Sequence, residues 1–455
     1  MLRPYQQDAM AQVLDQLAHR RRPCLVMPTG SGKTRVFCTV AKEFPGRVMI
    51  LVHRGELLDQ VSTTLTALDV EHGLIAAQEP WYRSRRVQVA SVQSLVRRLA
   101  DTPKPDLVII DEAHHCIPGN TWGKVLAAWP NALRWGVTAT PCRLGGQGLA
   151  DSFDTLVLGP TPKQLIAEKH LCDYRIFSPP AHWADALPRR GGDYARTETS
   201  LAASKPTITG NAVSHYQAVA PGTRALVFCV SRAHAQVVRD TFSSGGVRAE
   251  ILDGSSDRGQ RASRIRAFTV GSCPVLVTVD LVSEGFDVPA VETIISLRPT
   301  QSLTLWLQQV GRGLRPSPGK DKAIILDHAG NFYRHGYPDD DREWTLDGAS
   351  RCAGSGTGKG ITVRTCGQCF EAVRAPATTC QTCGYVFPVE SRVVEEVDGE
   401  LVELEKERVR IQQKREVGQA RDLEALKVIE KQRGYKRGWS EYIWRARQAK
   451  QGVRR

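Results

Sequence analysis

The segment Met27-Pro28-Thr29-Gly30-Ser31-Gly32-Lys33-Thr34 joins a strand-like apolar run, CLVM at 24–27, to a helical stretch, TRVFCTVAKEF. Gly30 and Gly32 can adopt backbone conformations closed to other residues. Successive N–H groups can then converge on one concavity at the positive end of a helix. Lys33 could reach the β- and γ-phosphates there, and the Thr34 hydroxyl could ligate Mg²⁺. The strict loop pattern has a glycine where Met27 stands, so this segment alone leaves two readings, a nucleotide site and a Gly-rich turn. The segment LVIIDEAHH at 107–115 decides between them. Four apolar residues carry Asp111 and Glu112 to the C-terminal end of a strand, where ligands of open α/β sheets sit. One carboxylate can hold Mg²⁺ through water, and the other can orient or deprotonate an attacking water. The third piece is QQVGRGLRPSPGK at 308–320, in which Arg312 and Arg315 stand three apart and share a helix face. Two such guanidiniums can stabilise charge developing on a phosphoryl group, an effect worth about 10³–10⁵ in rate. Because these arginines fall in a second lobe, the pattern describes a machine that converts ATP hydrolysis into relative lobe motion.

A separate chemistry is written in TCGQCFEAVRAPATTCQTCGYVFP. Cys366 and Cys369 form one Cys-x₂-Cys pair, Cys380 and Cys383 another. Four thiolates on two knuckles suit a structural, tetrahedral Zn²⁺ with no open coordination position. Gly367 and Gly384 are expected to make the knuckle turns, and the metal is expected to supply most of so small a module's folding energy.

The elements that must position these residues can be read from hydrophobic runs. CLVM (24–27), VMILV (48–52), VQVAS (87–91), DLVII (106–110) and WGVTA (135–139) are continuous rather than alternating, as expected of strands buried on both faces. Helical stretches between them imply βαβ units and a parallel sheet. The rhythm lapses and returns at ALVFCV (225–230), AEIL (249–252), PVLVTV (274–279), ETIISL (292–297) and AIILD (323–327). The expected domains are a first lobe at 1–156, a connector at 157–208, a second lobe at 209–330, a linker at 331–360, a four-cysteine module at 361–390 and a helical basic region at 391–455.

The chain has 455 residues, 41% of them hydrophobic, which is enough to build cores and excludes a disordered chain. No apolar run approaches the 18 or so residues of a membrane span, and no secretory h-region precedes the first helix. A net charge of +13 favours a polyanionic partner. Residues 421–455 carry 11 Lys and Arg against 4 Asp and Glu. The end of the chain, YKRGWSEYIWRAR at 435–447, alternates aromatics with cations, a pattern that fits either base stacking or a helix packed on the body.

The ordered set of segments resembles the superfamily 2 helicases of the DEAD/DEAH type over about residues 1–330. LRPYQQDA looks like their adenine-reading element, with Arg3 and Gln6 as contacts. MPTGSGKT is similar to motif I, through Thr29, Gly30, Ser31, Gly32, Lys33 and Thr34. DEAH is motif II and TAT, at 138–140, motif III. The resemblance implies that His114, Thr138 and Thr140 couple hydrolysis to lobe movement. LVHRGELLDQ and VASVQSL look like nucleic-acid backbone elements, implying contacts from His53, Arg54, Ser91 and Gln93, with Ser231 in the second lobe. LVSEGFDVP matches motif V, placing Gly285 and Asp287 near the nucleotide. Gln308, Gly311, Arg312 and Arg315 match Q-x-x-G-R-x-x-R. The run from LRPTQS to ILDHAGN, followed by the cysteine pairs, looks most like RadD-type bacterial and phage DNA helicases.

The resemblance implies an α/β fold of two RecA-like parallel-sheet lobes, then a zinc knuckle and a helical basic tail. It implies ATP, Mg²⁺ and structural Zn²⁺, with Lys33, Asp111, Glu112, Gln308, Arg312 and Arg315 as the hydrolytic set. The expected partner is DNA, single-stranded or forked, with no membrane. The zinc module and the tail are candidate surfaces for a protein partner. The expected state is a monomer in a bacterial cytoplasm, host or phage-infected, acting in repair, recombination or phage replication. Rival readings are a double-strand translocase, an ATP-switched scaffold and an RNA helicase.

Overall fold

In a computed structural model the described residues are 2–387, except 78, 144–145, 180–182, 185, 254–257, 280–290, 349–362 and 375–376, together with 417, 420, 422–433 and 438–452. The side chains of 206, 207, 209, 210, 258, 433 and 446–452 lie outside this description. So do Gly285 and Asp287.

The first lobe opens with helix α1 (Pro4–Ala18) and continues through β1 (Pro23–Val26), α2 (Lys33–Glu43), β2 (Val48–Val52), α3 (Gly55–Thr66), β3 (His72–Ile75), β4 (Val87–Ser91), α4 (Val92–Leu95), β5 (Leu107–Asp111), α5 (Thr121–Ala127), β6 (Leu133–Thr138) and β7 (Thr155–Leu158). Its seven strands pair in parallel in the order β3-β4-β2-β5-β6-β1-β7. The continuous apolar runs have the predicted consequence, since every residue of β2 and β5 is buried. Because all strands run the same way, their C-terminal ends share one edge. Val26 pairs with Thr138, and Val137 pairs with Asp111, so the phosphate-loop segment, the Asp-Glu pair and the Thr-Ala-Thr segment emerge side by side.

The chain then forms α6 (Pro162–Ala167), capped reciprocally by Thr161 and Gln164, and β8 (Asp173–Phe177). A short hairpin of β9 (Arg189–Arg190) and β10 (Asp193–Tyr194) precedes α7 (Arg196–Ala203) and α8 (Pro206–Val219). The second lobe comprises β11 (Ala225–Phe228), α9 (Arg232–Ser244), β12 (Ala249–Leu252), α10 (Arg258–Thr269), β13 (Val275–Thr278), β14 (Thr293–Ser296), α11 (Leu303–Gly313) and β15 (Lys322–Asp327). Its parallel order is β12-β13-β11-β14-β15-β8.

Residues 157–208 are therefore not a plain connector. β7 ends at Leu158 as an edge strand of the first sheet, and β8 forms the edge of the second. The sequence hides β8 because Asp173 is exposed and Tyr174 and Arg175 only half-buried, so DYRIF lacks the apolar run that marks an interior strand. The stretch 331–360 is likewise more than a linker. It begins with α12 (Asn331–His335), whose Asn331 and Phe332 are buried. Further on, the Leu346 carbonyl accepts from the amides of Leu149 (2.8 Å) and Ala150 (3.2 Å), returning the chain to the first lobe. Gly148 is required there, because a Cβ would stand 1.9 Å from that carbonyl oxygen.

The cysteine module is built on β16 (Val363–Thr365) and β17 (Ala372–Arg374), an antiparallel pair. It docks on the free edge of β8. Glu371 bridges to Phe177, and the Ser178 amide donates to the Phe370 carbonyl at 3.0 Å. Covering an edge strand removes a template for unwanted pairing. In the C-terminal unit, α13 (Leu423–Arg433) and α14 (Trp439–Gly452) form a helical pair. The Glu430 carboxylate accepts from the amides of Gly438 (3.2 Å) and Ser440 (2.7 Å). Tyr442 and Arg445 are exposed on α14. No helix among the described residues is long and apolar enough to cross a membrane.

Candidate functional site

The loop between β1 and α2 has the geometry its glycines foreshadow. Gly30 and Gly32 have φ of +87° and +84°, in the left-handed region. Met27 is fully buried, and its side chain fills the space beside Gly159, where a Cβ would stand 2.5 Å from the Met27 Cγ. Met27 therefore belongs to the core, and the cradle runs from Gly30 to Thr34. Gln6 on α1 reaches the same loop. Its Nε2 donates to the Ser31 carbonyl at 2.9 Å, while its Oε1 accepts from the Arg3 amide at 3.0 Å. The Tyr5 hydroxyl donates to the same carbonyl. The Lys33 ammonium folds back onto the loop, donating to the carbonyls of Met27 and Pro28 at 3.2 Å each. Burial lowers its pKa, opposed by Glu112 and Asp111 and reinforced by Arg312 and Arg315. All five ionisable groups are thus within electrostatic reach of one another across the two lobes.

The lobes meet because one position on α11 carries no side chain. A Cβ on Gly311 would stand 2.6 Å from the Thr29 Cβ, and one on Gly30 would stand 3.3 Å from the Arg315 Cγ. Arg312 is buried beside this contact. Gln308, one turn earlier, is 2% exposed, and its Nε2 has no hydrogen-bond partner among the described residues. A buried unmade donor costs about 1–3 kcal/mol, which a phosphate oxygen or a bound water would offset.

Asp111 ends β5 almost fully buried. Burial first, and the Glu112 charge second, push its carboxyl up to about 7 against the pull of Lys33 and of the Glu112 amide. A divalent cation at Asp111 and Thr34 would relieve that cost, so the donor set fits Mg²⁺. Glu112 has φ of +50°, unusual for a side-chain-bearing residue, and this turns its carboxylate toward His114. The His114 Nδ1 lies 3.3 Å from Glu112 Oε2 and 3.0 Å from Thr138 Oγ1. Thr138 Oγ1 donates its single proton to the Thr140 carbonyl at 2.9 Å. Nδ1 must therefore carry the proton it shares with Thr138.

The chain of contacts continues to a residue that sequence reasoning missed. Thr140 Oγ1 donates to Thr304 Oγ1 at 2.8 Å, and Thr304 in turn donates to the Cys142 carbonyl at 3.4 Å. Thr304 lies in the first turn of α11, buried, on the helix that bears Gln308 and Arg312. A hydrogen-bonded path thus leads from His114, which the Glu112 carboxylate contacts, to the second lobe. A lone threonine in LRPTQSLTLW carries no sequence signal of this role.

The residues expected to meet nucleic acid lie along the strand edges. His53 and Arg54 follow β2, and Ser91 ends β4, donating to Gln93 Oε1 at 2.9 Å. The His53 ring lies tilted against that of His115, centroids 4.4 Å apart, and the His115 ring lies 4.3 Å from that of His114. Ser231 follows β11 in the other lobe, where its hydroxyl caps α9 by accepting from the His234 amide at 3.2 Å.

The four cysteine sulfurs lie within 4.8 Å of one another, with Cys366–Cys383 at 3.5 Å and Cys369–Cys380 at 3.6 Å. Four thiolates about 2.3 Å from one tetrahedral ion would be spaced nearly so, and the set fits zinc. Gly384 has φ of +73° at the second knuckle, but at the first the left-handed residue is Phe370, not Gly367. The turn forms after the second cysteine of each pair, so the equivalent of Gly384 is Phe370. Glu371 ties this module to the second lobe, accepting from Arg175 Nε (2.9 Å), from Cys380 Sγ (3.2 Å) and from the Thr382 hydroxyl.

Residues 1–143 match the family described as type III restriction enzyme, res subunit, and residues 210–317 match the helicase conserved C-terminal domain. A Lactococcus phage protein described as a 51.5 kDa protein is 33% identical over 397 residues, covering 86% of this chain and 84% of its own. A Saccharomyces cerevisiae protein provisionally named ATP-dependent helicase IRC3 is 29% identical over 72% of this chain, which spans 52% of that relative. Among solved structures, an HsdR subunit fragment of a type I restriction enzyme, a provisional assignment, from Vibrio vulnificus YJ016 aligns with a TM-score of 0.57 at 22% identity, over 74% of this chain and 65% of that one.

Replacing Thr304 with Val keeps its shape and removes the hydroxyl. Losing two hydrogen bonds of about 1 kcal/mol each should lower strand-stimulated ATP turnover about 30-fold. Thr304→Ser should restore it in steady-state assays, and an equal loss in both variants would contradict the path. Because Asp111 ionises only near pH 7, Mg²⁺ affinity measured by titration should rise as pH increases through about 7. In Asp111→Asn that pH dependence should flatten.

Proposed function

Starting from a chain that belongs to the superfamily 2 helicases of the DEAD/DEAH type and hydrolyses ATP, we propose a DNA-dependent motor that couples Mg-ATP turnover to movement on DNA. The observation that carries the reading is the apposition of Arg312 and Arg315, from the second lobe, with Lys33, Asp111 and Glu112, from the first. A γ-phosphate between them draws the lobes together, and its release removes that attraction.

The roles follow from position. The amides from Gly30 to Thr34 and the Lys33 ammonium hold the phosphates. Asp111 and Thr34 hold Mg²⁺, which when bound neutralises charge on the phosphates. Glu112 takes the proton of the attacking water, its carboxylate set by His114. Arg312 and Arg315 stabilise the charge that develops in the transition state. Gln6 reports on the loop through Ser31, and Thr138, Thr140 and Thr304 transmit the state of Glu112 to α11. Cys366, Cys369, Cys380 and Cys383 hold a structural zinc that organises the cover of β8. DNA is favoured as the track by the match to a restriction-enzyme subunit, and the roles consistent with this are repair, recombination or phage replication. That match also keeps a second reading in view, translocation along duplex without strand separation.

Lys33→Ala should abolish strand-stimulated turnover, and Glu112→Gln should lower it about 10²–10⁴-fold while ATP still binds. Rates measured with single-stranded DNA, duplex, fork and RNA should be highest with DNA. Fork unwinding beside triplex displacement separates the two readings, and stimulation by RNA alone would reject both. Metal analysis should find about one zinc per chain, lost in Cys380→Ser.

A further inference from the structure

The arginine-bearing segment QQVGRGLRPSPGK closes on Lys320, whose side chain turns back beneath the end of α11. We infer that Lys320 is a positioning residue for Arg315, fixing the backbone at the foot of α11 from which that arginine reaches the phosphate loop. The inference rests on the reading of Arg312 and Arg315 as the groups that stabilise the transition state.

The turn that brings Lys320 there is written in the sequence. The Lys320 amide donates to the Ser317 carbonyl at 3.2 Å, closing a four-residue turn. Pro318 and Gly319 occupy its centre, and Gly319 has φ of +76°. Proline followed by a left-handed glycine is the pattern a type II turn requires. A Cβ on Gly319 would meet nothing within 4 Å, so the glycine is needed for its backbone angle and not for space. The chain reverses after Arg315 and delivers Lys320 two residues ahead of β15.

A helix ends with carbonyls that have no partner inside it. At the foot of α11 they are matched from outside. The Lys320 ammonium donates to the Gly313 carbonyl and, at 2.9 Å, to that of Arg315. Its third acceptor is the carbonyl of Val291, just ahead of β14, at 2.7 Å. The Leu314 carbonyl, between the first two, accepts from the Cys172 amide at 2.8 Å. An ammonium has three protons to donate and no acceptor, so three carbonyls complete its set. The cation also lies at the negative end of the helix dipole.

Burial pushes the Lys320 pKa down to about 8, opposed by Cys172 and Glu292 and reinforced by Arg224 and Arg315. Glu292 is itself held by Arg224 Nε at 3.0 Å. A partly desolvated cation is costly to maintain, and here the backbone it secures is the root of Arg315. The rest of that root is equally confined. A Cβ on Gly313 would stand 2.8 Å from Ile294 Cγ1, so α11 lies directly on β14. At the other end of the side chain, the Arg315 Cγ is 3.3 Å from where a Cβ on Gly30 would stand. A charge that must meet a transition state is sensitive to such placement, because a shift of about 1 Å can cost about 10²-fold in rate.

The test uses the full chain and Lys320→Met, which keeps the aliphatic stem and removes the donors. The kcat for ATP hydrolysis should fall about tenfold or more, with the KM for ATP and the affinity for ADP within about twofold of wild type. The same substitution is then made beside Arg315→Ala. There it should lower kcat by less than about twofold, since the group it places is already gone. The thermal midpoint should fall alike in both backgrounds, because the carbonyls lose their partner in either. An equal fold-loss of kcat in the two backgrounds would give Lys320 a merely structural role and overturn the inference, as would an unchanged kcat in Lys320→Met. If Lys320→Met fails to fold, Lys320→Gln, which keeps two N–H donors, is read in the same two backgrounds by the same criterion. Near-wild-type turnover in Arg315→Ala would defeat the arginine assignment itself, and the inference with it, a result distinct from these.

Discussion

At the junction of the lobes α11 passes so close to the Thr29 side chain that residue 311 can have no side chain of its own. The Gly311 to Thr29 contact lays α11 on the phosphate loop and brings two arginines to a lysine and two carboxylates. Charges sequestered there are costly unless each is matched by another, and the match is only partial in protein alone. Asp111 is pushed up and Lys33 down by burial before any partner acts. The site is therefore poised, with its charge balance completed by what it binds. This is why lobe apposition and nucleotide occupancy cannot be independent.

The rest of the molecule serves to make that approach accurate. Parallel strands put every loop with chemistry on one edge of each sheet, and the sheet registers fix their order. Between the edges run directional hydrogen bonds, from His114 by way of Thr138 and Thr140 to Thr304, with the Glu112 carboxylate 3.3 Å from the His114 Nδ1 at their start. The segment after α12 ties the second lobe back to the first, where the Leu346 carbonyl accepts from the Leu149 and Ala150 amides. A motor of two lobes needs such a tether, which limits separation without fixing distance.

The cysteine module answers a different need. β8 is a short, half-polar strand at the open edge of the second sheet, and the loop around Glu371 covers it. The same carboxylate meets Arg175 on the strand and Cys380 in the metal set. The cysteine module and the sheet edge are thereby joined through a single buried side chain.

Sequence and tertiary structure contributed different things. The residues that could do chemistry were legible by themselves. Loop glycines, an Asp-Glu pair behind four apolar residues, paired arginines and two Cys-x₂-Cys steps are local patterns, and interior strands announce themselves as unbroken apolar runs. What the sequence left open depends on contacts between residues far apart in the chain. DYRIF becomes an edge strand only because β15 offers it a partner and the knuckle loop a cover. Phe370, not Gly367, takes the left-handed turn, since the ligand geometry places that turn after the second cysteine. Thr304 carries no local signature, because its neighbours lie across the junction of the lobes. Periodicity and spacing report what one segment must do alone, and only packing decides which segments meet.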